Sequence, residues 1–395
     1  MSISKPFRFK ILDIYLGIIC VFPITTTLID GTLANKLLFV ILFAAHLLSF
    51  LNGPLKAKTI LLLFWLAVHY MFAVYCTEFP LWNSNLLFYF PFFLMYMCFM
   101  CDNMDSVMCW LCEKKRYLHT VVNIWTVLTG SSIFFPSCYY VKEGGSLYFG
   151  SWCNDIFRLG PSAMFIQILV IFLFSTDKRK SWLSYMIVPL YCVLMGSSRT
   201  YVVVGVCLFV VFWYIYCGNK KVFWGTVIPL GAIFVALIMA SSIGDKILYT
   251  LDENGYGDFW FRVTSSRSEL WEKDLTAWSK MPFLNKVLGC GLGFTNDVSG
   301  RWGHNDFVEI VCSFGMIGVI LYLISVDSIH KKAWNQLRVP LPVKACAILV
   351  WFFNACFNMH YVYFCAMLSY PFLIFALRIC FVKDAAGMRI VEKTQ

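Results

Sequence analysis

Long apolar stretches recur along the whole 395-residue sequence and restrict its possible folds more than any other feature. A helix needs roughly 20 mainly apolar residues to cross a bilayer. Charged residues make up only 14% of the chain, whereas a soluble domain carries about 25%. The sequence therefore predicts an all-α, polytopic membrane protein and excludes a soluble globular fold. We predict about twelve spans, at residues 11–29, 36–52, 59–76, 86–101, 118–136, 158–175, 183–196, 200–217, 223–242, 307–326, 344–361 and 364–382.

Lysine and arginine residues lie in short clusters between these stretches, and such clusters set the orientation of membrane proteins. If the N-terminus is cytoplasmic, every inner connection carries basic residues, and shifting the assignment by one span destroys this alternation. We therefore expect both termini in the cytoplasm and an uncleaved first helix. The chain then divides into spans 1–9 in residues 1–242, a large outer loop in 243–306, and spans 10–12 with a cytoplasmic tail in 307–395.

The large outer loop contains a predicted helix that begins at Ser266 and ends before Pro282. Ser266 and Glu269 have the spacing of a capping box. An apolar stripe recurs at helical spacing, and it either lies on the membrane surface or packs on the bundle. Its members are Leu270, Trp271, Leu275 and Trp278.

The 17 cysteines do not indicate a disulfide-rich scaffold, because most lie in apolar stretches, where cysteine behaves as a small hydrophobe. Two CxxC pairs carry the ligand type of a zinc site, Cys98 with Cys101 and Cys109 with Cys112. The two pairs are close together and Cys98 lies in an apolar stretch, so we expect no metal. A disulfide between Cys138 and Cys153, across one outer loop, stays open.

No sequence motif indicates a nucleotide or another cofactor. A Walker loop, a Rossmann glycine pattern and an HExxH motif are all missing from the sequence. The glycine-rich GCGLG at 289–293 is not followed by a nucleotide-binding arrangement. We therefore expect no cofactor, and we do not expect this chain to drive transport with ATP.

Four basic side chains stand apart from the inner clusters, each at the predicted start of a helix on the outer side. They are Arg158, Arg199, Arg267 and His304. A helix N-terminus already carries partial positive charge, so a cation there is unfavourable by about 0.3–1 kcal/mol unless an anion binds nearby. Helix starts bind phosphate, and arginine holds phosphate through paired hydrogen bonds. The four residues therefore predict a phosphate-binding site at the boundary between membrane and water.

Ordinary structural roles compete with this interpretation of the arginines. Arg158 could pair with Asp155, and Arg267 could be a solvated helix residue among acidic neighbours. Arg199 has no acidic neighbour in sequence, and a charge near the end of a membrane helix usually has a partner or a function.

The stretch GHNDFVEI, which opens the tenth span, also has a structural explanation. Asn305 or Asp306 could be the N-cap of the helix, and Asp306 with Glu309 has the spacing of a capping box. These roles leave His304 unexplained, since it lies at an aqueous boundary beside Arg301.

Four motifs in residues 150–325 together resemble the bacterial O-antigen polymerase and O-antigen ligase superfamily. They are RLGPSAMF with Arg158, GSSRT with Arg199, SRSELWEKDL…LGCGLG with Arg267, and GHNDFVEIVCSFGMIGVILYL with His304. Residues 1–150 share only the hydropathy of that family.

This resemblance implies glycosyl transfer at the periplasmic face of the bacterial inner membrane, from glycans carried on undecaprenyl pyrophosphate. Arg199 and Arg267 would clamp the pyrophosphate, with Arg158 as a further candidate, and His304 would activate the acceptor hydroxyl. Guanidinium groups can stabilise this leaving group, so no metal is expected. The supporting residues would be Asn305, Glu309 and Arg301.

The partners implied are the lipid-linked donor and acceptor glycans, the bilayer and a chain-length regulator protein, with no nucleic acid. Glycan contacts would fall to tryptophans of the large outer loop, each of which could instead anchor the loop at the membrane interface. These are Trp260, Trp271, Trp278 and Trp302.

Three functions remain open at this point. The acidic positions in HNDFVEI favour a polymerase, which joins lipid-linked repeat units, over a ligase, which moves the finished chain to lipid A core. A flippase or secondary transporter would also fit twelve spans with cytoplasmic termini. Transporters, however, place polar sites near the bilayer midplane, whereas this sequence concentrates them in one outer loop and the adjacent helix ends.

Overall fold

The computed structural model describes residues 5–28, 40–45, 48, 64–69, 71, 89–141, 147–153, 155–196, 198–252, 256–291, 293–334, 339–358, 361 and 364–381. These residues are mostly helical, and their one sheet is an antiparallel pair of three-residue strands, β1 (Tyr139–Val141) and β2 (Leu147–Phe149). The helices follow in chain order: α1 (Lys5–Leu28), α2 (Tyr89–Asp102), α3 (Met104–Glu113), α4 (Lys115–Ser132), α5 (Ile156–Asp177), α6 (Ile187–Met195), α7 (Arg199–Cys217), α8 (Lys220–Met239), α9 (Ser242–Leu251), α10 (Phe259–Thr264), α11 (Arg267–Ser279), α12 (Phe283–Leu288), α13 (Phe294–Ser299), α14 (Asp306–Trp334), α15 (Leu341–Asn358) and α16 (Phe364–Phe381).

Helix α5 forms the centre of the bundle, since 89% of the residues in its apolar 18-residue stretch are buried. A helix that is apolar on every side needs neighbours all round, and α5 packs against α1, α6, α7 and α16. Asp155 caps its start by accepting a hydrogen bond from the Phe157 N–H. The N-terminus of α5 lies at the same end of the bundle as the start of α7 and the end of α15.

The described residues fit an all-α membrane protein but not the count of twelve spans. Five helices are long and apolar enough to cross a bilayer: Ile156–Asp177, Arg199–Cys217, Lys220–Met239, Asp306–Lys331 and Leu341–Asn358. Four further apolar helices are shorter: Leu12–Thr27, Tyr89–Asp102, Lys180–Met195 and Cys365–Phe381. The span predicted at 118–136 corresponds to α4, which carries too many polar residues to qualify. The predicted spans 36–52 and 59–76 lie largely outside the described residues.

Helix α14 is broken at Gly315, whose backbone angles are φ 68° and ψ −172°. The break exposes backbone carbonyls, and the segment before α13 satisfies two of them. The Cys290 N–H donates to the Cys312 carbonyl at 2.7 Å, and the Gly291 N–H donates to the Ser313 carbonyl at 3.3 Å. Non-helical backbone within a membrane helix is tolerated where protein groups satisfy it. The GCGLG sequence therefore packs against the broken helix and has a structural role.

Three of the four stripe residues on α11 pack on the bundle, which was one of the two alternatives, whereas Leu275 is 38% exposed. Trp271 and Trp278 pack against a small core that includes Cys290, Phe294 and Cys312. The core residues belong to α13, α14 and the segment before α13, so α11 is attached to the bundle through this cluster.

The predicted capping box at the start of α11 was wrong. Ser266 has a left-handed backbone, with φ 66°, and its side chain makes no capping hydrogen bond. Ser265 is also left-handed, with φ 56°, because the chain reverses sharply between α10 and α11. The Ser268 N–H donates instead to the Thr264 hydroxyl at 3.0 Å.

The cysteines of the two CxxC pairs lie on α2 and α3 as thiols. No group of three potential ligands among the described residues could hold a metal ion. Cys138 and Cys153 are thiols as well, so no disulfide joins them.

Candidate functional site

A cavity of about 390 Å³ lies where α5 and α7 begin and where α15 ends, beneath helices α9 to α11. Its size falls in the range of roughly 300–1,000 Å³ that is usual for small-molecule sites. Three cationic side chains line it, namely Arg199, Lys246 and Arg267. The described lining contains no aspartate or glutamate, so the electrostatic potential in the cavity is positive and favours an anion.

Arg199 is the first residue of α7 and is held by four neutral acceptors. Its Nη1 group donates to the Arg262 and Val263 carbonyls and to the Thr250 hydroxyl, each at 3.0 Å. Its Nη2 group donates to the Ser265 hydroxyl at 2.9 Å. No carboxylate of the described chain pairs with it. The guanidinium therefore fixes α9 and the end of α10 to α7, while its positive charge stays uncompensated.

Arg267 is the first residue of α11 and lines the same cavity. Its Nη1 group donates to the Phe357 carbonyl in the last turn of α15. A cation interacts favourably with the carbonyls at a helix C-terminus. The structure thus brings together the two arginines that the sequence predicts as pyrophosphate ligands, and each also links two helices.

Two helix N-termini at the cavity are not capped by the residue that precedes them. Ser198 precedes α7 and Ser266 precedes α11, and neither side chain accepts a capping hydrogen bond from its helix. In α11 the Thr264 hydroxyl accepts from the Ser268 N–H instead. The other N–H groups in the first turns of the two helices could donate to an anion. The starts of α5 and α14 differ, since the side chains of Asp155 and Asn305 cap them.

Two lining residues were missed by the sequence analysis. Lys246 lies on α9, and its Nζ also sits 4.8 Å from the centre of the Tyr148 ring. Asn358 ends α15; it is buried, and its Nδ2 has no hydrogen-bond partner among the described residues. A buried donor without a partner is costly, and a phosphate oxygen in the cavity would satisfy it.

Most of the remaining lining of the cavity is apolar. It includes Val203 of α7, Ile247 and Leu251 of α9, and Phe353 and Phe357 of α15. A cavity lined by both cations and apolar side chains suits an amphiphile with an anionic headgroup. All five residues lie on helices that flank the predicted membrane boundary.

Arg158 does not line the cavity. Its Nε lies 3.0 Å from Asp155 Oδ2, in an ion pair between neighbouring turns. Its Nη1 is buried without a hydrogen-bond partner in the described part of the chain. Asp155 thus neutralises this arginine, as the competing interpretation proposed, and the structure does not bring Arg158 to the other two arginines.

His304 is not part of the cavity lining, but it lies close enough to Arg267, which is, to be affected by its charge. Its backbone is left-handed, with φ 53°, and its Nδ1 is buried without a partner among the described residues. Burial, followed by the charges of Arg267 and Arg301, lowers the pKa of His304 to about 4. The imidazole is therefore neutral at pH 7. Arg301 itself is exposed and donates to the Ser266 hydroxyl at 3.2 Å.

The remaining polar residues of the GHNDFVEI stretch have structural partners. Asn305 is the N-cap of α14 and accepts from the Phe307 and Val308 N–H groups at 2.9 and 3.2 Å. Asp306 accepts from the Tyr322 hydroxyl at 2.6 Å.

The capping box expected between Asp306 and Glu309 was wrong. With Asn305 as the N-cap, Glu309 lies one residue too far along the helix to cap it. It accepts instead from the Gly303 N–H at 2.6 Å.

The loop tryptophans occupy different environments. The Trp271 Nε1 donates to the Gly303 carbonyl at 2.6 Å, and Trp278 packs in the cluster beside α14. Trp302 packs against the main core, whereas Trp260 is 64% exposed. Trp260 alone among the four therefore presents most of its surface to a ligand or a membrane.

The fold and the site define a helical bundle, with five helices able to cross a membrane and a cationic, partly apolar cavity at one end. No protein-family model matches the chain, and comparison with curated proteins finds no match.

Proposed function

We propose that the protein is a glycosyltransferase that polymerises oligosaccharide repeat units carried on undecaprenyl pyrophosphate. It would work in the bacterial inner membrane, with both termini in the cytoplasm and residues 243–306 in the periplasm. The observation that carries the proposal is the cavity lined by Arg199, Lys246 and Arg267 and by apolar side chains, with no acidic residue among the described lining. A lipid with a diphosphate headgroup has the charge and the apolar tail that such a cavity accommodates.

The proposed reaction forms a glycosidic bond and breaks a sugar–phosphate bond. An acceptor hydroxyl attacks the anomeric carbon of the donor, the bond from that carbon to the pyrophosphate oxygen breaks, and the pyrophosphate leaves with the electron pair. Arg267 and Lys246, with the charge of Arg199, stabilise the negative charge that develops on the leaving group. Undecaprenyl pyrophosphate is the second product.

His304 would accept the proton of the acceptor hydroxyl. A neutral imidazole can do so, although a base with a pKa of about 4 is weak. A bound pyrophosphate would offset the positive charges of Arg267 and Arg301, which lower that pKa. Donor binding would therefore raise the pKa of His304 towards its ordinary value and strengthen the base at the moment it is required.

A ligase that transfers the finished polymer to lipid A core is the second candidate. The preference for a polymerase came from the acidic residues that follow His304. Asp306 and Glu309, however, bond to Tyr322, Gly303 and Thr295 within the protein. Because neither carboxylate lines the cavity, the same cavity would serve either enzyme.

A strain that lacks the protein tests the proposal through the banding of its lipopolysaccharide. We expect a single repeat unit on lipid A core, with the ladder restored by the wild-type gene. The Arg267→Ala and His304→Ala variants should insert normally and lower polymer yield at least about tenfold, since one positioned base contributes roughly 10²–10⁴ in rate. Arg179→Ala, which removes an exposed arginine, is the matched control and should restore the ladder.

Other band patterns would contradict the polymerase. Polymer retained on the lipid carrier would indicate the ligase, and lipid-linked units stranded on the cytoplasmic face would indicate a flippase. A wild-type ladder from both the Arg267 and the His304 variants would remove the assigned site.

A further inference from the structure

Two carboxyl groups meet beneath the segment that carries His304. Asp274 lies on α11 and Glu309 lies in the first turn of α14, and both residues are fully buried. A Cβ atom on Gly303 would lie 3.5 Å from Asp274 Oδ2 and 3.5 Å from Glu309 Oε1, so both carboxyl groups face the same point. No lysine, arginine or histidine of the described chain forms an ion pair with either one.

The hydrogen bonds to these carboxyl groups come from neutral donors. The Ser299 hydroxyl donates to Asp274 Oδ1 at 2.5 Å, and the Thr295 hydroxyl donates to Glu309 Oε2 at 2.6 Å. The Gly303 N–H donates to Glu309 Oε1 at 2.6 Å. Asp274 Oδ2 is buried and accepts no hydrogen bond from the described residues. That oxygen therefore lacks the compensation that a buried charge requires.

Two buried carboxylates without a counter-ion do not both stay ionised, because burial and their mutual repulsion favour the neutral form of one. Burial raises the pKa of Asp274 to about 6, opposed by the hydrogen bond from Ser299. The other titratable groups nearby are the thiols of Cys290 and Cys312, the Tyr361 hydroxyl and the Asp306 carboxyl group, which supply no positive charge. His304, which follows Gly303, is neutral at pH 7. Protonation of one of the two carboxyl groups removes the repulsion.

The pair controls a backbone segment that ends at His304. Glu309 binds the Gly303 N–H, and the Trp271 Nε1 binds the Gly303 carbonyl at 2.6 Å. The next residue is His304, which has a left-handed backbone with φ 53°. A residue with a Cβ adopts this conformation only when its surroundings impose it.

We propose that one carboxyl group of the pair Asp274 and Glu309 is protonated and that the pair acts as a positioning clasp, which fixes Gly303 and thereby the imidazole of His304. The clasp joins α11, α13 and α14. The role of the clasp in catalysis rests on the proposed function, whereas the clasp itself is independent of that function.

Asp274→Asn tests the clasp, because an amide imitates a carboxyl group that is permanently neutral. Because the pKa of Asp274 is raised in the folded protein, the stability that its protonated carboxyl group provides is fully present below the ordinary pKa of aspartate. That stability is lost as the pH rises through about 6. The melting temperature of the variant should therefore rise relative to that of the wild type, by roughly 1–2 °C for a chain of 395 residues, between pH 5 and pH 8. Both proteins are measured at full length in detergent. His304 titrates in both, so the difference reports on the pair of Asp274 and Glu309.

Asp297→Asn is the matched control, because Asp297 lies exposed on α13 beside the clasp. Its melting temperature should differ from the wild-type value by the same amount at both pH values. If the difference in melting temperature between Asp274→Asn and the wild type is the same at pH 5 and pH 8, the proposal that the pair holds a proton is wrong.

The glycan ladder separates the clasp from the proposed function. Asp274→Asn should keep the wild-type polymer yield, and Asp274→Ala should lower that yield at least about tenfold. A normal ladder from Asp274→Ala would overturn the positioning role. If the melting temperatures depend on pH as expected but the deletion strain keeps its ladder, the clasp stands and the proposed function falls.

Discussion

Replacing Arg199 by lysine is expected to abolish glycan transfer and to lower the stability of the protein, although the positive charge is retained. The guanidinium holds two carbonyls at the end of α10 and two hydroxyls, all at 2.9–3.0 Å. An ammonium group is compact and cannot reach these divergent acceptors together. Hydrogen bonds from a charged donor contribute about 1.5–3 kcal/mol each, so the loss of two should cost about 3–6 kcal/mol.

Thermal unfolding in detergent and polysaccharide banding measure the two effects of Arg199→Lys separately. Arg179→Lys is the matched control, since the Arg179 side chain is 68% exposed and pairs only with Asp177 among the described residues. It should leave both readouts unchanged. A lower melting temperature with a full ladder would reduce Arg199 to a structural residue. Wild-type behaviour in both assays would refute the role of its geometry altogether.

Gly315→Ala is expected to prevent accumulation of folded protein. A Cβ atom at this position would lie 2.3 Å from the Val287 carbonyl oxygen and 2.5 Å from the Gly289 nitrogen, and neither backbone atom can move aside cheaply. The backbone angles of Gly315 also fall in a region that is essentially restricted to glycine and costs other residues about 1–3 kcal/mol. The clash adds to this cost, so the total should exceed about 3 kcal/mol.

Gly225→Ala provides the matched control in the membrane helix α8. A Cβ there would meet no atom within 4 Å. Alanine is favoured over glycine in a helix by about 1 kcal/mol, so this variant should be neutral or slightly more stable. The measurement is the yield of monodisperse protein on size-exclusion chromatography. A normal yield for Gly315→Ala would show that α14 does not cross the GCGLG segment as described.

Much of the site could be predicted from local sequence, because helix starts have local causes. Small polar residues precede Arg199 and Arg267, and α7 and α11 begin at these two arginines. Asn305 is an N-cap residue by type and by structure. Local chemistry also misled at α11, where the left-handed Ser266 replaces the expected capping box.

Asp274 shows a signal that was present but overlooked. It follows Leu270 by four residues and precedes Trp278 by four, which places it on the buried stripe of α11. From the sequence alone, Asp274 is only one of the acidic residues near Arg267. Its burial beside Glu309 follows from the stripe packing against α13 and α14.

Other features depend on tertiary packing that no local pattern contains. Lys246 and Asn358 are separated by more than a hundred residues and meet only because α9 covers the end of α15. The pairing of Arg158 with Asp155 was one of two open interpretations, and the geometry favours it. The count of twelve spans failed where apolar helices are short or polar, because hydropathy alone does not fix where a helix begins and ends.

The central claim is that the cavity lined by Arg199, Lys246 and Arg267 binds a lipid diphosphate headgroup. The most direct test titrates the full-length protein in nanodiscs with farnesyl pyrophosphate by calorimetry, with farnesol as the control for the apolar tail. The wild type and Arg179→Ala should bind the pyrophosphate alike, and Arg267→Ala should bind it at least about tenfold more weakly, a difference of about 1.4 kcal/mol. Equal affinity of Arg267→Ala and the wild type, or equal affinity for farnesol and farnesyl pyrophosphate, would contradict the claim.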